Sequence, residues 1–162
     1  MGVRVGVLGI GNILLSDDGI GVHVIRRLKD RYRFPDNVRL IDGGTMGLDL
    51  LPFLEDIERL IIIDAVNLNK PYGTVEIITV DRIPTILNSK LSVHQIGISD
   101  LFFAMRIKGL PIKEVMLIGI QPGSLEVGTE PSEEIKAGIE TVIDHIINKM
   151  REWGVEVIGD EG

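Results

Sequence analysis

Residues 7–21 read VLGIGNILLSDDGIG and decide how the chain is built. An apolar run ends at Gly9 and Gly11, a short loop follows, and the adjacent carboxylates of Asp17 and Asp18 precede a second Gly-x-Gly. This order indicates a buried strand, a loop and the start of a helix, because short apolar runs bounded by glycine are typical of parallel strands. The glycines suggest a loop that binds phosphate, whereas the paired aspartates suggest a metal site.

The rest of the chain alternates apolar strands with amphipathic helices. Strands are predicted at residues 3–9, 38–41, 59–66, 73–80 and 115–120, and helices at residues 21–32, 46–54, 96–105 and 133–153, the last capped by Ser132. We expect an α/β fold with three layers, α/β/α, in which a mainly parallel, mixed and twisted sheet carries helices on both faces. The strand at residues 73–80 is the one expected to be antiparallel. Residues 1–162 are expected to form a single domain.

Composition excludes several classes of function. The formal net charge is −7, which argues against a general nucleic-acid or anionic-membrane surface, because such a surface must neutralise phosphates. The chain has no cysteine, so disulfides, thiolate metal ligands and a cysteine nucleophile are excluded. We find neither a signal-peptide pattern nor an apolar run of membrane-spanning length, and we expect a cytoplasmic monomer.

The phosphate interpretation lacks part of its motif. In the dinucleotide fingerprint a third glycine opens directly into the helix, but here Leu14 follows Gly9 and Gly11 at that position. The two aspartates placed before the helix would also repel a phosphate. Asp42, after the second strand, is a candidate ribose ligand, although an aspartate is ordinary there. Nucleotide binding remains an alternative.

The metal interpretation rests on three residues expected at one edge of the sheet. Asp18 follows the first strand, Asp64 ends the third, and His94 lies in a loop before a helix. Ligands of open α/β sheets bind at the carboxyl ends of the strands, and two carboxylates with one imidazole leave coordination positions open. Each residue also has a structural explanation, namely a helix cap, a hydrogen-bonded strand end and a histidine at a helix start. Their joint placement favours a site.

Further short motifs accompany these residues along nearly the whole chain. They are Gly9-x-Gly11-Asn12, Asp17-Asp18-Gly19-x-Gly21, Asp42-Gly43-Gly44-Thr45-x-Gly47, Asp64-Ala65, Ser92-x-His94-Gln95-x-Gly97, and Gly119 with Pro122 and Ser124-Leu125-Glu126. In content and order they resemble those of the [NiFe]-hydrogenase maturation endopeptidases. The resemblance implies an enzyme that removes a C-terminal extension from the hydrogenase large-subunit precursor after nickel insertion.

The resemblance also implies roles for the candidate residues. The family's nickel-binding and catalytic positions correspond to Asp18, Asp64 and His94, and the nickel is supplied by the precursor rather than bound permanently. A carboxylate could act as general base, and the metal could polarise the scissile carbonyl or activate water. Many family members carry glutamate at the position of Asp18. Asp17 is the rival ligand, but adjacent side chains in a loop diverge, so we expect Asp18 alone to face the metal.

The resemblance also implies that a second segment binds the substrate. Asp42, Gly43, Gly44 and Thr45 match the family's Asp-Gly-Gly-Thr segment, whose glycines would let a substrate backbone approach closely. The expected partner is the large-subunit precursor. A nickel carrier without enzymatic activity could use the same three ligands and remains an alternative.

Overall fold

The computed structural model describes residues 3–11, 16–44, 47–78, 93–123 and 132–159, and leaves out the side chains of residues 16, 18, 47 and 93–100. The strands are β1 (Val5–Ile10), β2 (Tyr32–Arg33), β3 (Val38–Gly44), β4 (Arg59–Ala65), β5 (Val75–Ile78), β6 (Glu114–Ile120) and β7 (Ile158–Gly159). The helices are α1 (Ile20–Arg31), α2 (Leu51–Leu54), α3 (Val93–Lys108) and α4 (Glu133–Glu152), and Ser16–Gly19 and Gly47–Leu50 form 3-10 turns.

Five strands form one sheet in the order β3-β1-β4-β6-β5. All neighbours are parallel except β5, which runs antiparallel to β6, as the sequence predicted. The central strand is β4, and its residues from Leu60 to Ala65 are all buried. A continuous apolar run is what a parallel strand covered on both faces requires.

Helices cover both faces of this sheet, so the predicted three-layer α/β/α arrangement is confirmed. The buried stripes of α1 and α4 pack on one face, where they meet Ile61 and Ile63 of β4. On the other face, Leu60 and Ile62 pack with residues of α3, α2 and the second 3-10 turn. Side chains alternate along β4 between the two faces, and this alternation divides the core into two clusters.

Most element boundaries lie within two residues of the prediction, and three elements differ from it by more or in type. Strand β3 continues through Asp42, Gly43 and Gly44 instead of ending at Ile41, because Asp42 and Gly44 still pair with β1 on either side of Gly43. The predicted helix at residues 46–54 is a 3-10 turn followed by the single turn α2, and its residue 46 lies outside the described residues. Helix α3 begins at Val93, three residues before its predicted start.

One pairing was not predicted. The two-residue strands β2 and β7 pair antiparallel, with Tyr32 opposite Gly159 and Arg33 opposite Ile158. This pairing joins the end of α1 to the segment after α4. Within the described part of the chain, no helix combines the length and the apolar character needed to cross a membrane.

Candidate active site

The 3-10 turn Ser16–Gly19 reaches the sheet because two glycines allow α1 to lie directly on it. A Cβ atom on Gly9 of β1 would lie 2.2 Å from the carbonyl oxygen of Gly21 in α1. A Cβ atom on Gly21 would lie 2.5 Å from the carbonyl oxygens of both Ile10 and Ile63. The first turn of α1 therefore lies against β1 and β4, and the preceding 3-10 turn contacts β4. These glycines serve helix–sheet packing.

Asp64 lies at the carboxyl end of the central strand and is fully buried. It pairs in register with Gly119 of β6, and strand alternation gives it the same face as Leu60 and Ile62. That face is the one covered by α3. Burying a carboxylate is costly unless polar groups or a metal compensate its charge, so apolar packing does not account for this residue.

The backbone of Asp18 lies in the 3-10 turn that contacts β4, and its side chain lies outside the described residues. The N-cap position of α1 is occupied by Gly19, which has no side chain with which to cap the helix. A capping role would therefore fall to the position of Gly19 rather than to that of Asp18. The turn that carries Asp18 contacts β4, the strand near whose carboxyl end Asp64 lies.

The side chain of Asp17 contacts the loop after β6 and the start of α4. Its side chain is fully buried, and its Oδ2 atom accepts a hydrogen bond from the backbone N–H of Gly123 at 2.7 Å. Its Oδ1 atom accepts one from the N–H of Ser132 at 2.8 Å, and the Ser132 hydroxyl donates to Oδ2 at 3.1 Å. Both carboxylate oxygens are thus bonded to the loop after β6 and to the start of α4. Ser132 occupies the predicted N-cap position, but no side-chain capping bond forms and its hydroxyl donates to Asp17 instead.

The sequence predicted that His94 lies in a loop. In the structure it is instead the second residue of α3. This helix ends shortly before β6 begins, and Leu101 and Met105 pack it on the sheet, so it runs antiparallel to β6. Its first turn therefore lies towards the carboxyl ends of the strands, at the edge that Asp64 occupies. Position 94 is two helical turns before Leu101, and its side chain lies outside the described residues.

The predicted substrate-binding segment begins at the end of β3, beside β1. Asp42 is exposed and its Oδ2 atom lies 4.0 Å from Nε of Arg26. Gly43 interrupts the regular pairing, since Asp42 pairs with Gly9 and Gly44 with Ile10. Gly44 has a φ of 46°, in the left-handed region that favours glycine. Thr45 lies outside the described residues. Asp42, Gly43 and Gly44 reach the carboxyl edge of the sheet that Asp64 also occupies.

Of the three predicted metal ligands, the structure describes the side chain of Asp64 alone. Among the side chains that the structure describes, no group of three His, Asp or Glu residues could hold a metal ion. Two of the predicted ligands, Asp18 and His94, have side chains outside that set. What the structure brings together at one edge is the buried carboxylate of Asp64 and the backbones that carry the other two.

Ion pairs that shift a pKa lie elsewhere. The guanidinium of Arg39, followed by that of Arg4, holds the pKa of the Asp56 carboxyl at about 2. Arg4 directly precedes β1, Asp56 lies shortly before β4, and Arg39 is the second residue of β3. They therefore lie at the amino ends of the strands, opposite the candidate site. Hydrogen bonds from Arg31 lower the pKa of Glu140, which ties α1 to α4.

The amino-acid sequence matches a known enzyme family over most of its length. The profile of the family described as hydrogenase maturation protease matches residues 22–149. The hydrogenase 2 maturation protease of Escherichia coli strain K12 is 40% identical over 163 residues, with 98% of each chain covered. The hydrogenase expression/formation protein HupD of Rhodobacter capsulatus is 40% identical over 156 residues, which cover 95% of this chain and 74% of that protein.

Solved structures agree with this match. The hydrogenase maturating endopeptidase HybD from E. coli superposes with a TM-score of 0.91 at 38% identity, covering 97% of this chain and 98% of that one. The [NiFe] hydrogenase maturation protease HybD from Thermococcus kodakarensis gives a TM-score of 0.76 at 30% identity, covering 91% and 99%. The chain belongs to the hydrogenase maturation protease family.

Proposed function

We propose that this protein is the endopeptidase that removes the C-terminal extension from the large-subunit precursor of a [NiFe]-hydrogenase, and that it recognises nickel already bound in the precursor. The observation that carries the proposal is the fully buried carboxylate of Asp64 at the carboxyl end of the central strand. Family membership gives the class of reaction. The buried carboxylate is the reason that we place the active site at the carboxyl edge of the sheet.

Asp18, Asp64 and His94 are the residues we assign to the nickel of the precursor. Two carboxylates and an imidazole are oxygen and nitrogen donors, which suit a divalent transition metal, and three protein ligands leave room for groups of the precursor. The metal is thus part of the substrate, and its recognition makes cleavage wait for nickel insertion. The nickel of the precursor would polarise the scissile carbonyl, and a carboxylate of this set would take a proton from the attacking water and pass it to the amine nitrogen that leaves when the C–N bond breaks.

Asp42, Gly43, Gly44 and Thr45 are assigned to binding of the precursor backbone. The described part of this segment ends the edge strand β3, and Asp42 is exposed to an incoming chain. Glycine at two successive positions keeps side chains out of the way of a peptide laid along this edge. The negative net charge supports a protein partner rather than nucleic acid or an anionic membrane, and we propose a cytoplasmic monomer.

The proposal is tested by incubating the purified protein with nickel-loaded precursor and measuring the mass of the precursor over time. We expect the precursor to shorten by its C-terminal extension with the wild-type protein and to keep its full mass with Asp64→Asn. Asp56→Asn is the matched control, because it makes the same chemical change at the opposite edge of the sheet. A nickel carrier would take up metal but leave the precursor at full length, which would overturn the enzymatic assignment.

A further inference from the structure

We propose that Asp17 is a positioning residue, which fixes the turn carrying Asp18 at the carboxyl edge and does not itself touch the precursor. The inference rests on the proposed function, since Asp18 is the residue through which Asp17 would act. Asp17 is fully buried, and both of its carboxylate oxygens accept hydrogen bonds from the protein.

The donors around Asp17 require a carboxylate. Two backbone N–H groups, from Gly123 and Ser132, and the Ser132 hydroxyl all point at its oxygens. An ionised carboxylate only accepts hydrogen bonds, so it satisfies all three donors at once. An asparagine of the same shape would turn its NH₂ group towards one of the two backbone N–H groups, and one of these bonds would be lost.

These bonds join segments that are far apart in sequence. Gly123 follows β6 and Ser132 precedes α4, at separations of 106 and 115 residues from Asp17. The positive end of the 20-residue helix α4 also compensates the buried negative charge. A Cβ atom on Gly123 would lie 3.1 Å from Oδ2 of Asp17 and 2.9 Å from the ring of Tyr72, so glycine leaves the space that the bond needs.

Asp17 can affect the site because it is adjacent to Asp18 in the chain. The Cα atoms of adjacent residues lie about 3.8 Å apart, so a displacement of Asp17 moves Asp18 as well. Groups that orient metal ligands from behind typically change metal affinity or activity by about 10–100-fold when they are replaced. We therefore expect loss of the Asp17 carboxylate to weaken recognition of the nickel in the precursor by a similar factor.

The test measures the ratio of cleavage rates on nickel-loaded and nickel-free precursor. A merely structural role would lower the folded fraction and slow both reactions equally, which leaves the ratio unchanged. We expect Asp17→Asn to lower the ratio by about tenfold or more, and the control Asp56→Asn to leave it as in the wild type. Where cleavage of nickel-free precursor is below detection, the single-turnover rate on nickel-loaded precursor is divided by the folded fraction from circular dichroism.

Ser132→Ala provides a milder second variant, because it removes one hydroxyl bond and keeps both backbone donors. It should lower the ratio by less than Asp17→Asn, and it decides the question if Asp17→Asn does not fold. A folded Asp17→Asn variant with the wild-type ratio, or an unchanged Ser132→Ala variant in the second case, would overturn the positioning role alone. A wild-type protein that cleaves both precursor forms at equal rates would overturn nickel recognition, and the positioning role with it.

Discussion

Replacing Gly21 by alanine tests how the opening stretch is held on the sheet. The added Cβ atom would lie 2.5 Å from the carbonyl oxygens of Ile10 and Ile63, which belong to β1 and β4. Both obstacles are backbone atoms of buried strands and cannot turn aside. Because real Cβ atoms essentially never come within 3.0 Å, the start of α1 must retreat from the sheet by at least half an ångström.

The cost of this retreat combines two opposing effects. Overpacking a well-packed core costs about 1–3 kcal/mol, and two backbone obstacles place Gly21→Ala near the upper end. Alanine is a better helix former than glycine by about 1 kcal/mol, which offsets part of the loss. The net destabilisation is about 2 kcal/mol, which lowers the melting temperature of a chain of this size by about 4–8 °C.

The activity should fall further than the stability. The turn that carries Asp18 directly precedes α1, and misplacing a reacting group by about 1 Å can cost about 10²-fold in rate. We expect Gly21→Ala to remain folded at 25 °C but to cleave nickel-loaded precursor about 100-fold more slowly.

Gly6→Ala is the matched control for Gly21→Ala. Gly6 lies in β1, the strand against which Gly21 packs, and its Cβ atom would lie 3.3 Å from side-chain atoms of Ile57 and Leu60, which can adjust. Thermal unfolding and precursor cleavage are measured on both variants. If Gly21→Ala matches Gly6→Ala in melting temperature and in rate, the close contact between α1 and the sheet does not constrain the site.

Three further predictions concern single side chains. Asp64→Asn and His94→Ala should abolish precursor cleavage and leave the circular dichroism spectrum unchanged; full cleavage by either variant removes that residue from the site. Asp18→Glu should keep most of the activity, because many family members carry glutamate there, and an inactive variant would contradict the assignment. Arg39, followed by Arg4, lowers the folded-state pKa of Asp56 from 3.8 to about 2, so the stabilisation is present above about pH 4 and is lost as pH falls towards 2. Since Asp56 is partly exposed, the contribution is below about 1 kcal/mol; urea midpoints of wild type and Asp56→Asn should differ at pH 6 and converge near pH 2, and a constant difference would refute the linkage.

Local patterns in the sequence were sufficient to predict most of the fold. Residues 60–63 of the run from Arg59 to Ala65 are all apolar, and this run is the central, buried strand. The apolar stripe from Ile135 to Met150 repeats at helical intervals, and it covers one face of the sheet. Both signals are contained within one element, where burial alone selects the residues.

Features that depend on distant or weakly specified residues were not predicted. Strand β3 continues through Gly43 and Gly44, although glycine has a poor strand preference, because Gly44 still pairs with Ile10 of β1. His94 lies inside α3, and the sequence did carry a signal for a helix start at Val93 that the prediction missed, because Ser92 and Gln95 have the spacing of a capping box. The bonds of Asp17 to Gly123 and Ser132 join residues more than 100 positions apart, and only the assembled fold brings them together.

The dependence of cleavage on nickel tests the central claim most directly. Purified protein is incubated with equal amounts of nickel-loaded and nickel-free large-subunit precursor, and the released C-terminal peptide is quantified by mass spectrometry. We expect the peptide to be released much faster from the nickel-loaded precursor than from the nickel-free one. Equal release from both forms, or release from neither, would contradict recognition of the precursor's nickel at the edge where Asp64 is buried.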